Sequence, residues 1–345
     1  MSNNYTGLMG IEFVEYVTNN VKQLHDLFLH FGFSKILENF KHSMELYKQN
    51  DIHFIINNEN EGHGNHFKTL HGPSISAMAF RVTDANKAFA VAVERGAKKA
   101  EGEYVFNGVN VPAIYGIGDS LIYFVDAFND KNFYAQLGFT NHRQPEHVED
   151  LGFLTIDHLT NNVEKGTMET WANFYKNIFG FTEVRYFDIK GAKTGLVSYA
   201  LKSPCGTFCI PINEGTDKKS QINEYLEEYK GPGIQHIAFL TNDIVKSLES
   251  LKGKVQTLDI DDEYYQTVFD RVPNVKEDQK KLRELNILID GDDEGYLLQI
   301  FTKNVIGPIF IEIIQRKNHH SFGEGNFGAL FRSIEKDQEK RGYLD

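Results

Sequence analysis

The sequence predicts an α+β protein made of four β-α-β-β-β units, and three observations carry that expectation. The same order of elements, an alternating apolar strand, a helix closed by glycine and further strands, returns four times at intervals of about 60 to 80 residues. The 345 residues exceed what one small core accommodates and suit two domains of ordinary size. Strands with period-2 alternation open the units at Met9 to Val17, Ser74 to Val82, Phe153 to Leu159 and Gly233 to Leu240.

In the first unit Asn19 or Asn20 caps a helix through Leu24, Leu27, Phe28 and Phe31 that stops at Gly32. Strands follow near Phe33 to Leu37, Met44 to Tyr47 and His53 to Ile56. The polar stretch from Asn57 to His66 reads as a solvated loop, because the Gly and Asn around His63 and His66 give two possible metal ligands no rigid frame. The second unit continues with a helix from Ala85 to Arg95 and strands at Tyr104 to Val109, Val111 to Tyr115 and Leu121 to Val125. The third has a helix from Met168 to Phe179 ended by Gly180, then strands at Thr182 to Ile189, Thr194 to Leu201 and Thr207 to Asn213. In the fourth, a helix from Asp243 to Leu251 precedes an insertion with a charged helix from Val275 to Leu285. The unit closes with strands at Asn286 to Ile289, Tyr296 to Lys303 and Gly307 to Arg316. A glycine-rich loop with exposed His319 and His320 leads to Asn326, which caps a last helix with Phe327, Leu330, Phe331 and Ile334 at helical spacing. That helix reads as a lid or as simple packing on the sheet. The expected division is 1–148, without ligands, and 149–345, with them.

Composition excludes several classes. The 36 basic and 48 acidic residues give a net charge of −12, which disfavours nucleic acid or anionic membrane as a partner. The two cysteines, Cys205 and Cys209, read as reduced residues on one face of a strand and cannot form a zinc site alone. The first twenty residues lack the pattern of a signal peptide, and no apolar run approaches the roughly 20 residues of a membrane span, so the expected compartment is the cytoplasm.

Chemistry separates from scaffold at Glu312, a carboxylate inside the continuous run Ile309-Phe-Ile-Glu-Ile-Ile314. Unless such a strand lies at a sheet edge, where Glu312 reaches water or pairs with Arg316, the charge needs a partner or a metal. Aligning the opening strands puts Phe13 where His158 stands and Ala77 where His236 stands, and the strand Ser120 to Asp126 has no central carboxylate to match Glu312. Two imidazoles and one carboxylate on three strands suit the facial triad of a non-haem iron(II), and zinc accepts the same donors. Phe301, Phe310, Phe322 and Phe327 would line an apolar pocket, with Gln299 sharing a strand face with Phe301, and Pro211 with Asn213.

Thr155-Ile-Asp-His158, Cys205-Gly-Thr-Phe208 with Pro211-Ile-Asn-Glu214, Gly233-Ile-Gln-His236, Leu297-Leu-Gln-Ile-Phe-Thr302, Phe310-Ile-Glu-Ile-Ile-Gln-Arg316 and Gly323-Glu-Gly-Asn-Phe327 stand in this order over essentially the whole chain. The set resembles the 4-hydroxyphenylpyruvate dioxygenase family of the vicinal oxygen chelate superfamily. The resemblance implies two open-barrel domains with a C-terminal lid helix, and Fe(II) held by His158, His236 and Glu312. It implies Ser198, Asn213, Gln221 and Gln299 as the polar shell of the substrate, and Pro211, Phe301, Phe310, Phe322, Asn326 and Phe327 as its binding walls. Gln235 also matches the family, but strand parity turns it away from the face of His236. The implied reaction converts 4-hydroxyphenylpyruvate and O2 to homogentisate and CO2, in tyrosine and phenylalanine breakdown or toward pigment, and the family's habit implies a homodimer or tetramer. Alternatives are 4-hydroxymandelate synthase, an extradiol catechol dioxygenase and a metal-free small-molecule-binding module of the same fold.

Overall fold

The computed structural model describes residues 3–102 and 104–344; Met1, Ser2, Glu103 and Asp345 lie outside them. Two eight-stranded curled sheets carry the architecture, with helices packed against them. Edge to edge, the first runs Thr140–Glu146, Ser34–Asn39, Met44–Gln49, Ile52–Asn57, Leu8–Val17, Ser74–Val82, Leu121–Val125 and Ala113–Tyr115. The second runs Thr182–Lys190, Gly195–Lys202, Cys209–Gly215, Phe153–Val163, Gly233–Thr241, Phe310–Lys317, Tyr296–Phe301 and Leu288–Gly291. The predicted opening strands therefore lie at the centre of each sheet, where units pair through them.

The registers bear out the alignment of the repeats. Phe13 stands opposite Ala79 as His158 stands opposite Ala238, and Ala79 is beside Tyr123 as Ala238 is beside Glu312. The first half thus has Phe13, Ala77 and Tyr123 where the second has His158, His236 and Glu312. The Phe13 and Tyr123 rings lie 6.0 Å apart between centroids and fill with carbon the place of a ligand set.

Several expectations need correction. Residues 62–71 form a helix, Gly62–His71, rather than a loop, and His63 Nε2 donates to the Asp119 carbonyl, 2.9 Å away, while Phe67 and His71 are buried. Tertiary burial of one face overrides the poor propensity of Gly and Asn. The stretch 104–109 is a small separate hairpin of Val105–Phe106 and Val109–Asn110. The edge strand Thr140–Glu146 and the helices Phe133–Gln136, Gln221–Tyr229 and Asp262–Arg271 were not foreseen, and the charged insertion helix shrinks to Gln279–Glu284. Cys205 sits in the turn before the strand, not on it with Cys209, because the chain reverses from Pro204 to Thr207; both thiols are free. His319 is half-buried rather than exposed, its Nδ1 2.9 Å from Ser321 Oγ. Among the described residues no helix is long and apolar enough to cross a membrane.

Among the described residues, the first half buries three acids, Glu12, Glu15 and Glu38, and Arg81 pairs with the first and Arg143 with the last. Glu15 Oε1 accepts from Ser76 Oγ at 2.7 Å and from Asn57 Nδ2 at 3.3 Å, yet burial pushes its carboxyl up to about 7. Between the unfolded value near 4.5 and this value, the native chain keeps a proton that the unfolded chain has lost, so stability falls as pH rises through that window. Glu15→Gln should therefore stabilise the protein by about 3 kcal/mol at pH 8 and hardly at all near pH 4. Urea unfolding at both pH values checks this; an equal effect at both would remove ionisation as the cause.

Candidate metal centre

Three neighbouring strands of the second sheet deliver the candidate ligands. His158 lies on Phe153–Val163, His236 on the antiparallel strand Gly233–Thr241, and Glu312 on the parallel strand Phe310–Lys317. The Glu312 strand is interior, so the edge-strand reading fails, and the residue is only 2% exposed. Its Oε2 lies 3.0 Å from His158 Nε2 and 3.4 Å from His236 Nε2. All three donor atoms fall within 4.8 Å of one another. Donors at about 2.1 Å from a common metal and at right angles to each other lie about 3 Å apart, so the spacing fits one ion with a free face.

Two β-bulges decide what holds these ligands. Opposite Ile156 to His158 the partner strand advances by one residue only, from Phe239 to Ala238, which leaves Asp157 as the extra residue. Asp157 turns back to His158, its Oδ2 2.8 Å from Nδ1, so that Nε2 is the nitrogen left for a metal. Arg316 grips Asp157 with two bonds of 2.8 Å and donates to the Ser321 carbonyl at 2.6 Å, tying this ligand to the loop before the last helix. Arg316 thus pairs with Asp157, not with Glu312. The second bulge lies between Thr160 opposite His236 and Asn161 opposite Ile234, and its extra residue is Gln235. This corrects the parity argument: the bulge swings Gln235 into the cavity, where Oε1 lies 3.3 Å from His236 Nδ1 and Nε2 lies 3.5 Å from Gln221 Oε1.

Electrostatics suit a cation. Burial opposes the charge of Glu312, but His158 and His236 outweigh it and hold the carboxyl low. Burial likewise opposes a proton on His158, and Glu312 and Asp157 more than offset it, whereas burial lowers His236. A metal entering this cluster replaces the proton between His158 and Glu312.

The donors open into a cavity of roughly 690 Å³, counting the part open to solvent, a size suited to a small molecule. Every site residue expected from the sequence lines it: Ser198, Pro211, Asn213 and Gln221 on one side, Gln299, Phe301 and Phe310 on the other, and Phe322, Asn326 and Phe327 from the tail. The His236 ring stacks on Phe310 at 4.7 Å. Sequence reasoning missed Phe187, Ile189 and Leu196, which also line it. Phe187 and Ile189 carry the signal in retrospect, as alternate positions of a polar strand, and the Phe187 ring meets Phe327 edge-on at 5.2 Å. The helix Phe327–Lys340 covers the chamber with Leu330, Phe331 and Ile334, and Phe331 also packs on Leu196 and Ile222. Asn326 stands at the N-cap position of this helix but its side chain makes no capping bond; its amide is spent inside, on Gln299, Tyr264 and Arg271.

Comparison with known proteins agrees with this geometry. Residues 2–140 match the family model described as hydroxyphenylpyruvate dioxygenase, N-terminal, and residues 155–286 match the glyoxalase/bleomycin resistance protein/dioxygenase superfamily. The chain is 57% identical over 343 residues to protein MelA of Shewanella colwelliana, covering 99% of both. It is 46% identical over 348 residues to 4-hydroxyphenylpyruvate dioxygenase of Pseudomonas aeruginosa, covering 99% of this chain and 97% of the relative. A triple variant of 4-hydroxymandelate synthase from Streptomyces coelicolor shares the fold with a TM-score of 0.82 at 22% identity, over 96% of this chain and 99% of that one. With the ligand triad, the doubled fold and full-length identity in agreement, the chain belongs to the 4-hydroxyphenylpyruvate dioxygenase family.

Proposed function

We propose that His158, His236 and Glu312 hold iron(II), and that the chain so loaded converts 4-hydroxyphenylpyruvate and dioxygen to homogentisate and carbon dioxide. The observation that carries the reading is the convergence of three buried donors on one face of an aromatic chamber, in a chain 46% identical to the Pseudomonas aeruginosa dioxygenase over its whole length. Bound iron(II) would supply vacant positions for a keto acid and dioxygen and a route by which electrons of the keto acid and its ring reach oxygen.

The chain's own residues bind, orient and exclude water. Loss of CO2 from the keto acid balances one oxygen atom and ring hydroxylation the other, so no protein group has to serve as oxidant or reductant. Ser198, Asn213, Gln221 and Gln299 offer hydrogen bonds within the chamber, and Gln235 joins them by way of its bulge. Phe301 and Phe310 form a wall against which a planar ring is held, and Phe322 and Phe327 close the side toward solvent. The division at 148/149 into a scaffold half and a catalytic half, and assembly as a homodimer or tetramer, belong to the same reading.

Product analysis tests it. Iron(II)-loaded protein should consume 4-hydroxyphenylpyruvate and O2 in equal amounts and release homogentisate. Formation of 4-hydroxymandelate instead would transfer the chain to the synthase reading, and no oxygen uptake at all would favour a binding module.

A further inference from the structure

A chain of hydrogen bonds runs from the insertion of the fourth unit to Glu312. Arg271, the last residue of the helix Asp262–Arg271, donates to Asp290 Oδ1 at 2.9 Å, to the Ile289 carbonyl at 2.8 Å and to Asn326 Oδ1 at 3.3 Å. Asn326 Nδ2 donates to Gln299 Oε1 at 2.8 Å, and Gln299 Nε2 donates to Glu312 Oε1 at 3.0 Å. Asn326, Gln299 and Glu312 are 1%, 3% and 2% exposed, so they find their hydrogen-bond partners mainly in the protein.

The direction of this chain is set at its ends. An amide has nearly the same shape either way round, and Asn326 and Gln299 could each be turned end for end. A guanidinium has donors only and an ionised carboxylate acceptors only. With Arg271 at one end, Asn326 must show it oxygen and give its NH2 to Gln299. Gln299 then faces Asn326 with oxygen and Glu312 with NH2. Tyr264 also touches Asn326 Oδ1, at 2.6 Å, but its hydroxyl accepts from Ile289 N at 2.7 Å and lies 2.9 Å from the Ile289 carbonyl. It can donate to either oxygen, so it tolerates both ends of Asn326; Arg271 tolerates one. The tail makes room for this path with glycine. A Cβ on Gly323 would lie 1.8 Å from Gln299 Oε1, and one on Gly325 would lie 1.5 Å from Arg271 Nη1.

We propose that Arg271 is a positioning residue of the active site, which turns Gln299 so that one N–H holds Glu312 Oε1 and the other faces the substrate. Oε2 of Glu312 is thereby left toward His158 and His236, and Gln299 offers the substrate a donor, so it recognises an oxygen atom of the keto acid. The inference rests on the function proposed above.

Cobalt(II) titration of the metal-free protein supplies a readout independent of turnover, and homogentisate formed per O2 consumed supplies a second. Arg271→Met should weaken cobalt binding by about tenfold and lower the homogentisate yield per O2, the usual scale for losing a group that orients a ligand. Arg271→Lys keeps a donor-only group and should recover most of both. Asp290→Asn breaks the ion pair to Arg271 but leaves the bond to Asn326, and should keep parental cobalt affinity. Parental affinity and yield in Arg271→Met, or an equal loss in Asp290→Asn, would overturn the proposal. Absence of homogentisate from the parent would sink the functional reading instead, while the cobalt affinities would still decide the role of Arg271.

Discussion

Glu312→Ala is expected to bring homogentisate formation down to the level of a protein-free control while leaving a folded chain. The carboxylate is the one anionic donor of the triad, and without it two imidazoles remain, on different strands, with no charge to hold a divalent ion. Two effects on stability oppose each other. Removing a buried charge is favourable, but His158 and His236 lose the carboxylate whose charge they hold against burial, and Gln299 Nε2 loses its acceptor. The losses outweigh the gain, and the metal-free variant should unfold about 1 to 3 kcal/mol more easily than the metal-free parent. His158→Ala and His236→Ala should behave alike in turnover. Metal analysis beside activity decides: stoichiometric iron with substantial turnover in any of the three would refute the assignment at that position.

Deleting residues 321–345 should separate metal binding from chemistry. The truncation removes Phe322, Asn326, Phe327 and the helix Phe327–Lys340 but none of the three ligands. Metal should still bind, weaker by about tenfold because Asn326 departs with the tail. Homogentisate formation should fall on the order of a thousandfold, since the ring loses two walls and water enters the chamber. Keto-acid consumption should fall less, so that the two become uncoupled. The helix also holds the fold, through Glu335 accepting from the backbone of Ala192, Lys193 and Thr194 at 2.9 to 3.1 Å, and through Phe331 against Leu196 and Ile222. A full-length Phe322→Ala/Phe327→Ala variant keeps those contacts and should show the same uncoupling. Near-parental homogentisate yield in the double variant would show that the tail only packs.

The candidate ligands were legible in the sequence because the repeats supply their own control. Phe13 and Ala77 show what those strand positions hold in the half without the triad, and His158 and His236 depart from that pattern. Strand parity then placed Phe301 and Gln299, or Pro211 and Asn213, on common faces correctly. It failed at Gln235, where a bulge breaks the period and turns one side chain, and nothing in a single sequence marks an inserted residue without glycine. Arg271 was out of reach for another reason. Its role depends on Asn326, 55 positions away, and only the folded tail brings them together. The strand Thr140–Glu146 escaped notice because it is an edge strand of mostly exposed polar residues with Pro145 in it, and edges carry no apolar alternation.

His158 and Glu312 are 154 positions apart, and the strand of His236 lies between theirs. During synthesis no segment shorter than the span from the third unit to the last ligand strand contains the complete triad. At this site a growing chain can thus offer only the two imidazoles of His158 and His236 until Phe310–Lys317 has emerged and inserted beside Gly233–Thr241. Metal loading at this site therefore waits until the last ligand strand is in place, and the helix Phe327–Lys340, which comes after that strand in the chain, covers the chamber only once the three donors have met.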